Sequence, residues 1–476
     1  MWDHGREEQV LKEASFLLPH EALEALIPEG QERAYADLSD PSVRGFRQEL
    51  QDWQARTQSY LALPYICLAL WGDTAPMSHR DSLCLLTLRI LSGADKCRIW
   101  LWSASKNQLC QCGCKGRHTL DACWDILAYS FRVLMTGRWP SVDHSGNPWP
   151  PGCKQARALR SGQPLRFAGC LLAKTGGWMW YKQTLNLQSW MTRRPTDRLC
   201  WMCRADSTNA YDITPIAAWR STVTSMEDIV KPSSRDDFTS RFWQIPGVTL
   251  KTIKADWMHV VDLGVLQSIL GNICFELFIS LGGSFNRPKP ACAKLLNLFR
   301  AVARDMNTEV PFSALTVHMM REKWDKKPKL KLKAAEGRFF APILLRTLQE
   351  CFPSSTQHQQ LRIQALGALC SCYEEFQNWR GLDSTHRLGA LARRHVMLYQ
   401  ELRRGVVDDE KAYCIQPKHH IMIHLAEHSS NNPIAEWCYG DESQIGKACK
   451  VVEHMSRPQI VAKLVPRYIT TRTWMS

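Results

Sequence analysis

Long uninterrupted apolar runs are missing from this 476-residue chain. No stretch of 18 or more apolar residues is free of charge. The most apolar one, Met258 to Gly282, carries Asp262 and Glu276, and so predicts a core helix and no membrane span. The opening "MWDHGREEQV" lacks the pattern of a secretory signal. Internal repeats and low-complexity tracts are absent too, which argues against a repeat architecture. A second C-x-x-C is also lacking, although the chain has 19 Cys. In a long chain with no export signal, thiols are expected reduced or bound to metal, in an intracellular setting, and not paired as disulfides.

Charge is plentiful and uneven. Net charge is +14, yet residues 1–60 hold six Lys/Arg against twelve Asp/Glu, so the remaining 416 residues carry +20. A basic body suits a polyanionic partner, nucleic acid first. The segment "REKWDKKPKLKLK" (321–333) holds seven Lys/Arg and reads as a solvated loop more readily than as a dedicated DNA contact.

The length suggests two to four domains. Residues 1–60 read as an acidic helical segment broken by Pro28 and Pro41. Three short apolar runs follow: "LALPYICLAL" (61–70), "SLCLLTLRIL" (82–91) and "CRIWLWSA" (97–104), with "SGAD" as a hairpin turn. "TLDACWDILAYSFRVLMTG" predicts a helix capped by Thr119 and ended by Gly137, with Leu120, Cys123, Leu127, Phe131 and Leu134 on its apolar stripe. "LRFAGCLLAK" (165–174) predicts a fourth strand. Helical patterns then run around 212–230, 256–282, 290–307, 338–351, 359–378 and 385–405.

Three strands, a helix and a fourth strand form the order of an RNase H-like core. The expected fold is therefore α/β: an RNase H-like mixed sheet (61–204, with the C-x-x-C) interrupted by an all-α insertion (205–415) and completed by 416–476. In such a core an acid sits on the first strand, and Asp73 follows the first apolar run. Phosphodiester chemistry there uses Mg²⁺ or Mn²⁺ on oxygen ligands from separate elements. A second acid is expected just past the fourth strand, but the sequence reads "TGGWMW", with Gly176 and Gly177. A third candidate is Glu442 in "WCYGDESQIGKACKVVEHM". There Asp441 can cap a helix, and Ile445, Ala448, Val452 and Met455 form a stripe that includes Glu442. A first-turn Glu favoured by the helix dipole is the plainer reading.

Cysteine and histidine give an independent signal. Cys200-x-x-Cys203 has the spacing of two zinc ligands from one turn, and His420 and His424 share a helix face in "PKHHIMIHLAEH", with His419 as an alternative. Zinc there would staple the sheet to the returning helix. Cys110, Cys112, Cys114 and His118 sit in one loop that could hold a second zinc or simply make a tight turn.

This arrangement resembles the transposase-derived proteins of cut-and-paste DNA elements, whose DDE-type RNase H-like domain is interrupted by a helical insertion. Acid on strand one, C-x-x-C, late His pair and Glu are similar in order to Transib-type transposases and the related V(D)J recombinase subunit. "ADWMHVVDLGVL" (255–266) resembles the D-x-x-H signature of CACTA-type transposases, here Asp256 and His259, whose role is open. "CQCGCKGRH", "CWMCRAD" and "DWMHVVDLG" also resemble uncharacterised dinoflagellate proteins. The resemblance spans roughly residues 60–465. It implies Asp73 and Glu442 as catalytic acids, and Cys200, Cys203, His420 and His424 as ligands of a structural zinc. It also places a second catalytic Asp near 177, where this chain has glycine. Losing that acid removes part of a two-metal clamp.

The expected function is thus a DNA-binding protein with impaired catalysis, nuclear by inference, with a homodimer as the usual state of such proteins and no membrane role. The N-terminal segment is expected to be too short for a separate DNA-binding module. An active metal-dependent transposase or nuclease would need another acid, and Asp197 or Asp206 is nearest in sequence. A zinc-stabilised interaction module without a nucleic-acid role is the third reading.

Overall fold

The computed structural model describes all residues except 1, 4–7, 10–13, 80, 94–96, 150–154, 188–197, 231–238, 353–355, 454 and 474–476. Asp197 and half of the expected "SGAD" turn lie outside the described residues. The chain is mixed α/β and mostly helical, with a four-stranded mixed sheet. It divides into two compact units: 1–189 with 224–254 and 435–476, and 190–223 with 255–434.

The first unit holds the sheet. Its strands are β1 (Tyr65–Ser78), β2 (Asp81–Ile90), β3 (Arg98–Ser105) and β4 (Ala168–Thr175), in the spatial order β3-β2-β1-β4. The first three pair antiparallel, and β4 runs parallel to β1. A parallel neighbour needs a long crossover, and the Arg117–Thr136 helix lies in that crossover, packed on β4. All of β4 and nearly all of β2 are buried, as strands covered on both faces must be apolar almost throughout.

Strand β1 differs from the expectation of 61–70. It starts after Pro64 and extends to Ser78, because its ladder with β2 continues through Pro76↔Ser82. Pairing with β4 stops at Trp71↔Thr175. Beyond that point no described strand lies along this edge of β1, and Pro76 falls in that one-sided stretch, where proline is tolerated.

The crossover helix buries Leu120, Cys123, Leu127, Phe131 and Leu134 and ends at Gly137 with φ 64°. Its start differs: the helix begins at Arg117, and Thr119 in its first turn accepts a hydrogen bond from the Cys110 N–H at 3.0 Å. The Tyr439–Val452 helix packs on β1 and β2 and buries Ile445, Ala448 and Val452, while Met455 lies beyond its end. Asp441 does not cap this helix. It is fully buried in the first turn, 3.0 Å from Arg98 Nε and 3.7 Å from Arg89 Nη1.

Helices Pro19–Leu26, Glu32–Tyr35 and Phe46–Thr57 occupy the acidic segment. Its acids meet cations of the same unit: Glu24 lies 3.1 Å from Arg166, and Glu49 lies 2.9 Å from Lys254.

The second unit is helical. Its long elements are Met258–Ser280, Lys289–Asp305, Ala334–Cys351, Gln357–Gln377, Leu382–Gly405 and Pro417–His428. Met258–Ser280 is long and apolar enough to cross a membrane, and 78% of its most apolar stretch is buried within the protein. Its first part, Met258–Leu266, is π-helical with a break at Leu263. Lys418 Nζ donates to the carbonyls of His259 (2.6 Å) and Leu263 (3.0 Å), satisfying groups that a π-turn frees.

No long helix forms over 212–230. Ala218–Ser221 is a 3₁₀ turn and Met226–Val230 a short helix. Asp212 instead captures the N–H and hydroxyl of Thr214, a local bond that competes with helix formation. The units also cut the chain differently from the expected 61–204, 205–415 and 416–476. Cys200, Cys203 and the His pair share the helical unit, whereas Glu442 belongs with the sheet.

Candidate metal centres

Asp73 lies within β1, two residues past the last parallel pair and opposite Leu85 on β2. Its carboxylate accepts the Thr74 N–H at 2.7 Å and the Gly177 N–H at 3.1 Å. Glu442, half-buried in the first turn of its helix, brings a carboxylate oxygen within 4.8 Å of one on Asp73. Two acids 369 positions apart therefore share one end of the sheet.

Gly177 stands just before the Trp178–Leu185 helix with φ −68° and ψ 152°, a backbone open to any residue. A Cβ there would fall 2.5 Å from Asp73 Oδ2. Position 177 is thus directly against Asp73, and glycine lets a backbone N–H take the place of a side chain.

Sequence reasoning missed Lys174. It ends the apolar run of β4, is fully buried, and donates to the Thr175 carbonyl at 2.8 Å. Burial pushes its ammonium down to about 7, and the neighbouring Cys438, Asp73 and Asp441 pull the other way. A lysine within an apolar strand was the available signal. A second missed feature is the Arg89–Arg98–Asp441 group, which fixes the Glu442 helix against the sheet.

Two carboxylates can hold a hard cation, but a two-metal clamp needs more oxygen ligands than these. Asp206 Oδ1 accepts from Thr208 and Asn209 in its own turn, and Asp206 belongs to the helical unit. Among the described residues, the acids gathered at this sheet end therefore do not make up a two-metal centre of Mg²⁺ or Mn²⁺.

In the helical unit, Cys200, Cys203, His420 and His424 converge, all buried, with ligand atoms within 4.8 Å of one another. Cys203 Sγ lies 3.4 Å from His420 Nε2 and 3.3 Å from His424 Nε2, and the two Nε2 atoms are 3.1 Å apart. Ligand atoms around a tetrahedral zinc stand roughly 3.3–3.8 Å apart, from its bond lengths. Cys200 and His424 press Cys203 toward thiolate, while burial keeps both imidazoles neutral, with His420 lowered to about 4. Thiolate and neutral imidazole are the forms that bind a metal such as zinc. Trp219 packs on both rings, and the neighbouring Arg220 pairs with Glu427, which also meets Arg393.

His419 is not in this group. Its ring meets the Gln416 N–H at 3.1 Å and packs on Tyr399. The cluster lies wholly inside the helical unit. It joins that unit's early Cys turn to its late helix, and is not the expected staple between sheet and returning helix.

Asp256 and His259 form a helix start. Asp256 accepts the N–H groups of Met258 (3.3 Å) and His259 (3.0 Å), and its Oδ2 is 2.6 Å from His259 Nδ1. Asp256 thus caps the first turn through its own carboxylate, and the His259 ring meets that same carboxylate. In the sheet unit, Cys110, Cys112 and Cys114 of one loop gather with His118 from the first turn of the helix that follows. The basic segment 321–333 is irregular; Arg321 is buried against Asp409, and most of its lysines are exposed. No model of a known protein family matches the chain, and no curated protein matches it in sequence.

Proposed function

We propose that this chain is a transposase-derived DNA-binding protein whose DDE-type metal site has lost its second aspartate and with it most of its catalytic power. One observation carries the reading. Asp73 and Glu442 bring their carboxylates within 4.8 Å at the sheet end, and position 177 abuts Asp73 but holds glycine. The strand order, with three antiparallel strands and a parallel fourth, is consistent with an RNase H-like core. The helical unit between residues 255 and 434 is consistent with an insertion into it.

In this reading the Cys200–Cys203–His420–His424 cluster holds a structural zinc, whose chemistry there is to cross-link distant parts of the helical unit. The +20 carried beyond residue 60 supports a DNA partner. A nuclear setting and a homodimer follow from the same reading.

A nicking assay on duplex DNA with Mn²⁺ tests this. The native chain is expected to bind DNA without nicking it, and Gly177→Asp to gain activity that Asp73→Asn removes. Native nicking as fast as the variant's, abolished by Asp73→Asn, would mean an active enzyme. Absence of DNA binding would favour a zinc-stabilised interaction module.

A further inference from the structure

The loop between β3 and the crossover helix, with the first turn of that helix, contains an arrangement that the acid site and the Cys200 cluster do not use. Cys110, Cys112, Cys114 and His118 bring one donor atom each within 4.8 Å of the others. Cys110 Sγ is 3.3 Å from Cys112 Sγ and 3.5 Å from His118 Nδ1, and Cys112 Sγ is 3.4 Å from the same nitrogen.

Alternate residues of an extended chain stand about 6.5–7 Å apart, so C-x-C-x-C would spread its thiols along one side of a strand. Here the chain curls. Gly113, Lys115 and Gly116 all have positive φ, at 92°, 56° and 87°. The Gly116 N–H closes the curl on the Cys110 carbonyl at 3.0 Å, and the Arg117 N–H closes on that of Cys114 at 3.1 Å. Lys115 pays for a left-handed backbone without being glycine. The outcome is three sulfurs and one ring nitrogen facing a common point.

The surroundings suit a bound cation. Cys110 is fully buried and anchors the loop, while Cys112 and His118 are exposed and Cys114 is half-buried, so an ion can enter from solvent. The loop leads into the Arg117–Thr136 helix, which starts from Gly116 without a side-chain cap. Three thiolates, a neutral imidazole and a divalent ion sum to −1, a charge that the N-terminal end of a helix favours. Three soft sulfurs with one imidazole in closed tetrahedral form select zinc over hard cations.

We propose that Cys110, Cys112, Cys114 and His118 form a second structural zinc site of Cys₃His type, which fixes the start of the crossover helix in the sheet unit. This goes beyond the proposed function and does not depend on DNA binding.

The test is metal content of the full chain, purified reduced and without chelator, beside Cys112→Ser/Cys114→Ser, His118→Ala and Cys203→Ser. The native chain is expected to hold two equivalents of zinc. Each variant should lose one, and Cys203→Ser should lose a different one. Cobalt substitution identifies which: the native charge-transfer band should fall by three thiolates' share in Cys112→Ser/Cys114→Ser, and by two in Cys203→Ser. Cys112 and His118 are exposed and Cys114 is half-buried, so none of the variants at these three positions removes a fully buried side chain. The proposal is overturned if the Cys112→Ser/Cys114→Ser and His118→Ala variants hold as much zinc as the native chain, or if the cobalt band is unchanged by them.

Discussion

Asp73 and Gly177 meet where β1 outruns β4, and their contact decides what the acid pair can bind. The Gly177 N–H donates to Asp73 at 3.1 Å, so one carboxylate oxygen is engaged by a neutral donor. Gly177→Asp adds a third carboxylate on backbone angles that accept it, with the Asp73 carboxylate turning aside from a Cβ that would otherwise lie 2.5 Å away. We expect Mn²⁺ affinity, measured by calorimetry, to rise at least about tenfold, a change of about 1.4 kcal/mol. No gain over the native chain would mean that position 177 does not face the cation.

Lys174 gives a second prediction at this scale. Its folded pKa is lowered to about 7, below the ordinary 10.5. Between those values the unfolded chain binds more protons, so this group makes stability rise with pH from about 7 to 10.5. Below pH 7 both states are protonated and the cost of the buried ammonium is fully present. Lys174→Met should therefore stabilise the protein at pH 7 by ~1–3 kcal/mol and flatten its stability between pH 7 and 10.5. Denaturant unfolding at pH 7 and 10 reads both; an unchanged slope would contradict the cause assigned to Lys174. Asp73 was legible as an acid after an apolar run. Lys174 was not, because hydropathy patterning takes a terminal lysine as the end of a strand, whereas its ammonium turns back into the protein.

Among elements, Asp256 and His259 of the D-x-x-H stretch meet at the start of their own helix. Asp256 caps the first turn, so Asp256→Ala should cost about 1 kcal/mol, within the range for lost caps, and lower the midpoint of thermal unfolding. No shift would mean that its role lies outside the helix. Gly271 shows a tighter constraint: a Cβ there would meet the Lys329 and Leu330 backbone at 2.5 Å. Gly271→Ala should destabilise by ~1–3 kcal/mol in chemical denaturation, as overpacking does; tolerance would show that the 329–330 segment shifts easily.

The strands and the crossover helix were readable because apolar runs and an i, i+3, i+4 stripe reflect burial directly. Other elements were not. The second half of β1, "WGDTAPMS", has no apolar pattern and exists through its pairing with β2. The absence of a long helix at 212–230 turns on Asp212 and Thr214, whose side-chain bonds leave periodicity intact. Asp441 sits at a natural capping position, but Arg89 and Arg98 draw it inward.

On the scale of the whole molecule, two candidate metal-binding groups bring together residues distant in sequence. Asp73 reaches Glu442 in the sheet unit, and Cys200 and Cys203 reach His420 and His424 in the helical one. Both meetings were legible as pairs of residue types, but the unit that would hold the cysteines was not, since no local pattern reports which side of a boundary a turn joins. Cys200→Ser and His424→Ala should each lose the same single zinc equivalent and lower the thermal midpoint. Metal loss from only one of them would separate the two pairs.

Binding to duplex DNA as a function of salt most directly tests the central claim, that a basic transposase-derived body still engages DNA without an intact acid site. Phosphate contacts release counterions, so log K should fall linearly with log salt. With six or more contacts, affinity should drop about 10³-fold or more between about 50 and 200 mM salt. Weak binding that is flat across that range would contradict the account.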